Sequence, residues 1–474
     1  MSAAGRLLVA GAATLGFIAL CGFGPVTSRD PDVDFIVTAA PAYRPLAELH
    51  GGERFPEGAH LLLVKDGKSE PLVAGFAATA DADVSFDGNS VLFAGKKTTR
   101  DKWQIWELNL TDRTLRQVTS SSDDAVRPFH LPGERLIWAQ HTPNGFEIES
   151  SDDGHPKASN ELNPTASPGV LPLTYLHANA FPTGVLHDGR ILFESGFPLG
   201  SGAVPEIYLV YADGSGLESI RCDHGRARWG ARQLASGDVV FTHGASLARF
   251  TSSLSHEEPV PVPAAEYAGA IAESDSGAWL VSVRVAHGTH YAISLWQPGD
   301  PAHPARTKLE SLLAIGGMDL IDPVVVAPRL RPNRHPSGLH AWNYGNLLAL
   351  DARVSRDGAL RGTPASVRIE TQNTSGQPET AGTAPMEIDG SFFVQVPGDR
   401  PIRFSLLDRN GAVLRQEHGW FWIRGGEQRY CVGCHAGPER SSENRVPAVL
   451  MRSTMPVDLT GWGLTRGSGG GPVK

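Results

Sequence analysis

Five times along this chain a glycine-ended turn leads into a short apolar strand, and the spacing of those turns limits the folds available to it. The pairs are Asp87-Gly88 before Val91-Leu92-Phe93, Pro132-Gly133 before Leu136-Ile137-Trp138, Asp188-Gly189 before Ile191-Leu192-Phe193, Ser236-Gly237 before Val239-Val240-Phe241, and Ser276-Gly277 before Trp279-Leu280-Val281. Successive glycines fall 45, 56, 48 and 40 residues apart. The first repeat continues through Trp103–Leu110 and Leu115–Thr119, so each period holds several short strands. That is the length of one four-stranded blade of a β-propeller, whose blades bury their faces on each other and leave few open edges. The strand Leu61–Val64 before Asp66-Gly67, joined by the segment Pro323–Val326, supplies a sixth blade closed by both ends of the domain. Six blades are expected over residues 35–330, and seven would fit the same period.

With 53 glycines and 35 prolines spread over 474 residues, many short strands joined by turns are expected. An apolar content of 41% excludes a disordered chain, and a formal charge of −9 without any Lys/Arg block excludes nucleic acid as the partner. After Arg331–Pro336 the pattern changes. Asn346–Val354, Ala365–Ile369, Ser391–Val396 and Ile402–Leu407 read as sandwich strands, punctuated by turns at Arg356-Asp357-Gly358, Ile388-Asp389-Gly390 and Asp408–Gly411. The chain is therefore expected to be all-β, a propeller followed by a small β-sandwich at 340–427. A c-type haem segment at 428–460 and a Gly/Ser-rich tail at 461–474 follow.

The chemistry is concentrated in Cys431-Val432-Gly433-Cys434-His435, the one C-x-x-C-H in the sequence. Two thiols and a histidine at this spacing are what covalent haem attachment uses, the thiols forming thioethers and His435 ligating the iron. A structural zinc site needs a second ligand pair, and the other cysteines, Cys21 and Cys222, do not form one. A thioredoxin-like dithiol needs a βαβ setting that the strands before Cys431 do not provide. One covalent haem c is expected, with zinc at His435 and a free dithiol as the alternatives.

Such attachment takes place outside the cytoplasm, and residues 1–28 agree with export. Leu7–Phe23 is apolar or small, preceded by Arg6 and followed by Gly24-Pro25, as in a secretory leader. An uncleaved leader would anchor the chain to the inner membrane, the one membrane contact expected. Lipoprotein processing at Cys21 is disfavoured by the large Leu20 before it.

The repeats resemble those of TolB-type propellers. Ile388–Pro401, Leu407-Asp408, Trp420–Arg424, Glu427 and Glu443–Pro447, arranged around the haem motif, resemble the middle domain of the hydrazine synthase alpha-subunit-like family. The resemblance covers roughly residues 35–450 and implies a propeller placed before a haem-bearing domain. It also implies, for the synthase, a haem ligated by a tyrosine four residues after the motif histidine, which leaves that histidine for zinc. Here that position is Glu439, and the second haem domain of the synthase has no counterpart. His435 is therefore expected to be an ordinary proximal ligand.

Met455, in Thr454-Met455-Pro456, and His418 are the candidates for the distal position, with Met451 and Met455 alternatively packing over the porphyrin. Trp420, Phe421 and Trp422 are expected to wall the haem, and Arg424 and Arg429 to meet its propionates. Three functions fit. The first is an exported monohaem cytochrome passing electrons to a redox protein partner, with the propeller as docking platform. The others are a haem oxidoreductase acting on a small nitrogen or oxygen species, and a binding propeller with a structural haem.

Overall fold

The computed structural model describes residues 33–151, 169–176, 178–197, 199, 204–221, 225–285, 288–298, 308–355, 358–373, 376–433 and 445–461. The leader, Cys434, His435 and nearly all of the tail lie outside the described residues.

Six four-stranded antiparallel sheets follow one another from Phe35 to Val325. Blade 2 is Ala78–Val84, Ser90–Lys96, Gln104–Asn109 and Leu115–Gln117, and blades 3 to 6 repeat this order, starting at Ala125, Ala180, Arg228 and Glu266. Blade 1 takes Phe35–Ala40, His60–Lys65 and Lys68–Pro71 from the start of the domain and Asp319–Val325 from its end, pairing Phe35 with Val325. The innermost strands touch in a closed cycle, which makes a six-bladed propeller. Burial follows position in the blade. Phe35–Ala40, read FIVTAA, is buried at every residue because neighbouring blades cover both faces, whereas the outermost strand Lys68–Pro71, read KSEP, is exposed throughout.

The recurring glycines close the first hairpin of blades 2 to 6, and all five are left-handed, with φ of 76°, 83°, 89°, 93° and 76°. Asp66-Gly67 lies in the second hairpin of blade 1, since the first pairing there joins the two ends of the domain. At Gly189 conformation is only half the reason: a Cβ there would sit 2.2 Å from the Asn333 carbonyl oxygen. The linker crosses these turns, Arg329 N donating to Phe86 O at 2.9 Å and Asn333 N to His187 O at 2.8 Å.

Every innermost strand carries one register shift near its middle. In five blades the bulge holds a left-handed residue: Asp81, Arg127, Gly230, Gly269 and Asp322. Five of the six blades thus break the regular strand at the axis with a left-handed residue.

The sandwich is two four-stranded sheets. One orders Gln428–Cys431, Tyr344–Ala349, Phe392–Pro397 and Val457–Asp458; the other orders Pro378–Pro385, Ser366–Gln372, Ile402–Leu407 and Val413–Gln416. The core between them includes Leu347, Val367, Ile369, Phe392, Val394 and Leu406. The expected boundary at 427 does not hold here. Gln428–Cys431 and Val457–Asp458 form the two edges of the first sheet by parallel pairing, so the haem segment completes the sandwich instead of following it.

Candidate functional site

Cys431 ends the edge strand Gln428–Cys431, opposite Ala349, and its carbonyl accepts the Leu350 amide at 2.8 Å. Its side chain is half-buried against the sandwich core, with Sγ 3.2 Å from the Gly433 carbonyl oxygen. Burial pushes the thiol up, against the Gly433 backbone and the charge of Arg429, and the Glu417 carboxylate adds to the rise. Alternation along the strand turns Tyr430 the other way, 69% exposed. The chain then makes a turn that requires glycine: a Cβ on Gly433 would lie 3.0 Å from Val354 Cβ and 3.1 Å from Asp351 O. The middle of the motif is thereby seated on the 351–354 loop.

The chain returns beside the same place. Arg353 pairs with Asp351 at 2.8 Å and donates to Ile388 O at 2.7 Å, which locks the 351–354 loop to the Glu387–Gly390 turn. Asp389 of that turn pairs with Arg445 and accepts the Ala448 amide at 2.8 Å, while Ser391 Oγ accepts the Val449 amide at 3.1 Å. Gly433 and the Arg445–Val449 stretch are thus held on two joined loops at one end of one sheet. Burial opposes ionisation of Asp389, but hydrogen bonds from Ser391, the Ala448 amide and Arg445 win and hold its carboxyl well below the usual range. A lowered carboxylate stabilises above its unfolded value near 3.8 and loses that contribution as pH falls through the folded value. Asp389→Asn is expected to speed tryptic cleavage at Arg445 and Arg452 by roughly tenfold at neutral pH, the loss of about 1–2 kcal/mol of charge-assisted bonding. The unsubstituted chain should lose this protection only in acid below the ordinary carboxylate range.

Exposed apolar side chains gather around this end: Ile388 at 92%, Met451 at 77% and Met455 at 67%, with Val446 and Val432. Isolated exposed residues need no explanation, but five flanking one motif form a surface that a flat apolar group can cover. With the Gly433 cradle and the seated Cys431, these residues fit a covalently attached porphyrin.

The distal candidates fall on opposite edges. Met455 lies two residues before Val457, which pairs with Val394, so it stands at the Phe392 end of the sheet, the end at which Phe392, Ala349 and Cys431 are aligned. His418 is exposed and follows Glu417, close to Cys431 on the other sheet's edge. Among the described residues no group of three metal-ligating side chains occurs. Of the propeller histidines, His130 bonds Asp83 at 2.7 Å in the interior and His243 pairs with Glu257, while His155, His177 and His224 lie outside the described residues.

The aromatic and arginine assignments need correction. Trp422 does not wall the porphyrin. It is fully buried among Leu173, Leu176, Tyr208 and Val210 of blades 3 and 4, and its Nε1 donates to Gly214 O at 2.8 Å. Arg424 bonds Asp399 at 2.7 Å and the Asp213 carbonyl, and Arg429 donates to the Leu217 carbonyl, so neither guanidinium is directed to propionates. Glu427 joins the grip, its oxygens accepting the amides of Gly216 at 3.2 Å and Arg424 at 2.8 Å. The Trp-x-Arg-x-x-Glu-x-Arg run is the clamp by which the sandwich holds the 213–217 turn of blade 4.

Residues 349–436, which span the C-x-x-C-H, match the family described as the hydrazine synthase alpha subunit middle domain. Among solved structures, Kuenenia stuttgartiensis hydrazine synthase is similar over 89% of this chain and 72% of that one, with a TM-score of 0.75 and 17% identity. TolB from Acinetobacter baumannii aligns over 61% of this chain and 66% of that one, with a TM-score of 0.43 and 12% identity. No curated protein matches the sequence. The expected resemblance is therefore found in the sandwich sequence over residues 349–436 and in a fold shared over 89% of the chain.

Proposed function

We propose that this hydrazine synthase alpha-like chain is an exported monohaem c-type cytochrome that passes single electrons to a protein partner, with the propeller as a rigid docking platform. The observation that supports this most is the convergence at one sheet end of Cys431, the glycine cradle and the exposed apolar surface. A haem held there by Cys431, Cys434 and His435 supplies a one-electron couple. The chain's own contribution is to fix the attachment point on a paired edge strand, to cover the ring with Ile388, Val446 and Met451, and to offer the Met455 thioether as distal ligand. An exposed thioether at the level of Cys431 suits that role better than packing, since the sandwich core does not contain it.

The likeness to hydrazine synthase favours a second reading, a haem oxidoreductase acting on a small nitrogen or oxygen species at an open iron. Glu439 in place of the tyrosine weighs against the synthase's own coordination. Redox titration separates the readings. Met455→Ala is expected to lower the reduction potential by on the order of 100 mV and to open the iron to carbon monoxide, with His418→Ala unchanged. An effect of His418→Ala alone transfers the distal role to His418, and carbon monoxide binding before any substitution favours the oxidoreductase.

A further inference from the structure

The propeller axis holds a small pocket, partly open to solvent, lined by the innermost strand of every blade and by the 41–59 segment. Its charges are unevenly matched. Arg54 lies between Asp81 and Asp322, the latter at 3.0 Å, and Arg127 between Glu194 and Glu48, the latter at 2.6 Å. Bulge amides fill further carboxylate valences: Arg127 N to Asp81 at 3.1 Å, Gly230 N to Glu194 at 3.1 Å and Ala270 N to Asp322 at 2.7 Å. These carboxylates are occupied, which leaves little for a cation to bind.

Arg232 is different. Its guanidinium stacks over the Phe129 ring at 4.9 Å and makes one hydrogen bond, to the neighbouring Ala231 carbonyl at 3.2 Å, with no carboxylate in contact among the described residues. Burial pushes it down to about 10, against the pull of the Asp322 and Asp83 carboxylates, so it remains a cation at neutral pH. Three more polar atoms, on residues that line the same pocket, are buried without a hydrogen-bond partner: Trp229 Nε1, Thr183 Oγ1 and Arg54 Nε. Two of these atoms can only donate, the hydroxyl can donate, and Thr183 is 3% exposed. A buried donor without an acceptor is costly, so a set of them around one pocket calls for an acceptor.

We propose that the axial cavity binds a small oxyanion, a carboxylate or phosphate group, held by the guanidinium of Arg232 with Trp229, Thr183 and Arg54 as further donors. Stacking on Phe129 fixes the guanidinium plane and leaves its edge for two parallel bonds to two oxygens. The site is separate from the haem segment and does not depend on the function proposed for it.

The test is calorimetric titration of the purified full-length protein with acetate and with phosphate, against sodium chloride at equal ionic strength. Saturable binding of either anion is expected, and the one that binds identifies the ligand class. Arg232→Gln should weaken it roughly ten- to hundredfold and Trp229→Phe, which keeps the ring, roughly two- to tenfold. Trp229→Phe also reports if Arg232→Gln does not fold. No saturable binding of either anion, or affinities unchanged in folded variants, would overturn the proposal and leave the donors to water.

Discussion

Replacing Trp422 by alanine is expected to destabilise the protein by about 4 kcal/mol and to split a single thermal transition into two. The ring is fully buried, yet its neighbours belong mostly to another module: Leu173, Leu176, Tyr208 and Val210 come from the propeller and Tyr175 stands 6.2 Å away, centroid to centroid. Truncation of a buried tryptophan costs about 3–5 kcal/mol through lost burial and the cavity left behind. It also strips the Gly214 carbonyl of its indole donor, adding about 1 kcal/mol. Because the loss falls on the joint, the sandwich should melt before the propeller. Scanning calorimetry reads this directly. Trp342→Ala, at a ring 45% exposed, serves as the control and should shift the midpoint little. One unchanged transition for Trp422→Ala would show that the clamp does not couple the modules.

Substituting both motif cysteines by serine is expected to abolish covalent haem, the largest change any pair of substitutions should make. With the thioethers gone only non-covalent contacts hold the group, and a denaturing gel stained for haem should be blank. The single change Cys431→Ser leaves one thioether at Cys434 and should give reduced, strained incorporation. A second consequence concerns the surface at Ile388, Val446, Met451 and Met455. These side chains are exposed in the chain by itself. The haem-free variant should bind a hydrophobic dye more strongly than the haem-loaded protein, and equal dye binding would mean that the porphyrin lies elsewhere.

How much of this was legible depended on whether a local signal existed. The glycine turns fixed blades 2 to 6 because each needs a left-handed residue at its first hairpin. Blade 1 was harder to place, since its first pairing, Phe35 with Val325, leaves no hairpin to read. The sandwich strands showed in their apolar alternation, but its edges did not. Gln428–Cys431 has four residues and Val457–Asp458 two, and both pair in parallel with distant partners. Trp422, Arg424 and Arg429 carry no local signal of their role, because aromatics and arginines beside a haem motif suit a haem wall and an interface equally well. Only the 213–217 turn, some 200 residues earlier, decides between them. The axial bulges were invisible as well: Asp81, Arg127 and Asp322 adopt left-handed φ inside strands, where nothing in their neighbours announces a turn.

The measurement that bears most directly on the account is a reduced-minus-oxidised optical spectrum, with and without carbon monoxide, of protein exported in a host that matures c-type haem. The account predicts one covalent haem per chain, low-spin and unaltered by carbon monoxide. Covalent haem that binds carbon monoxide at once would contradict the electron-transfer function, and absence of covalent haem would contradict the cytochrome altogether.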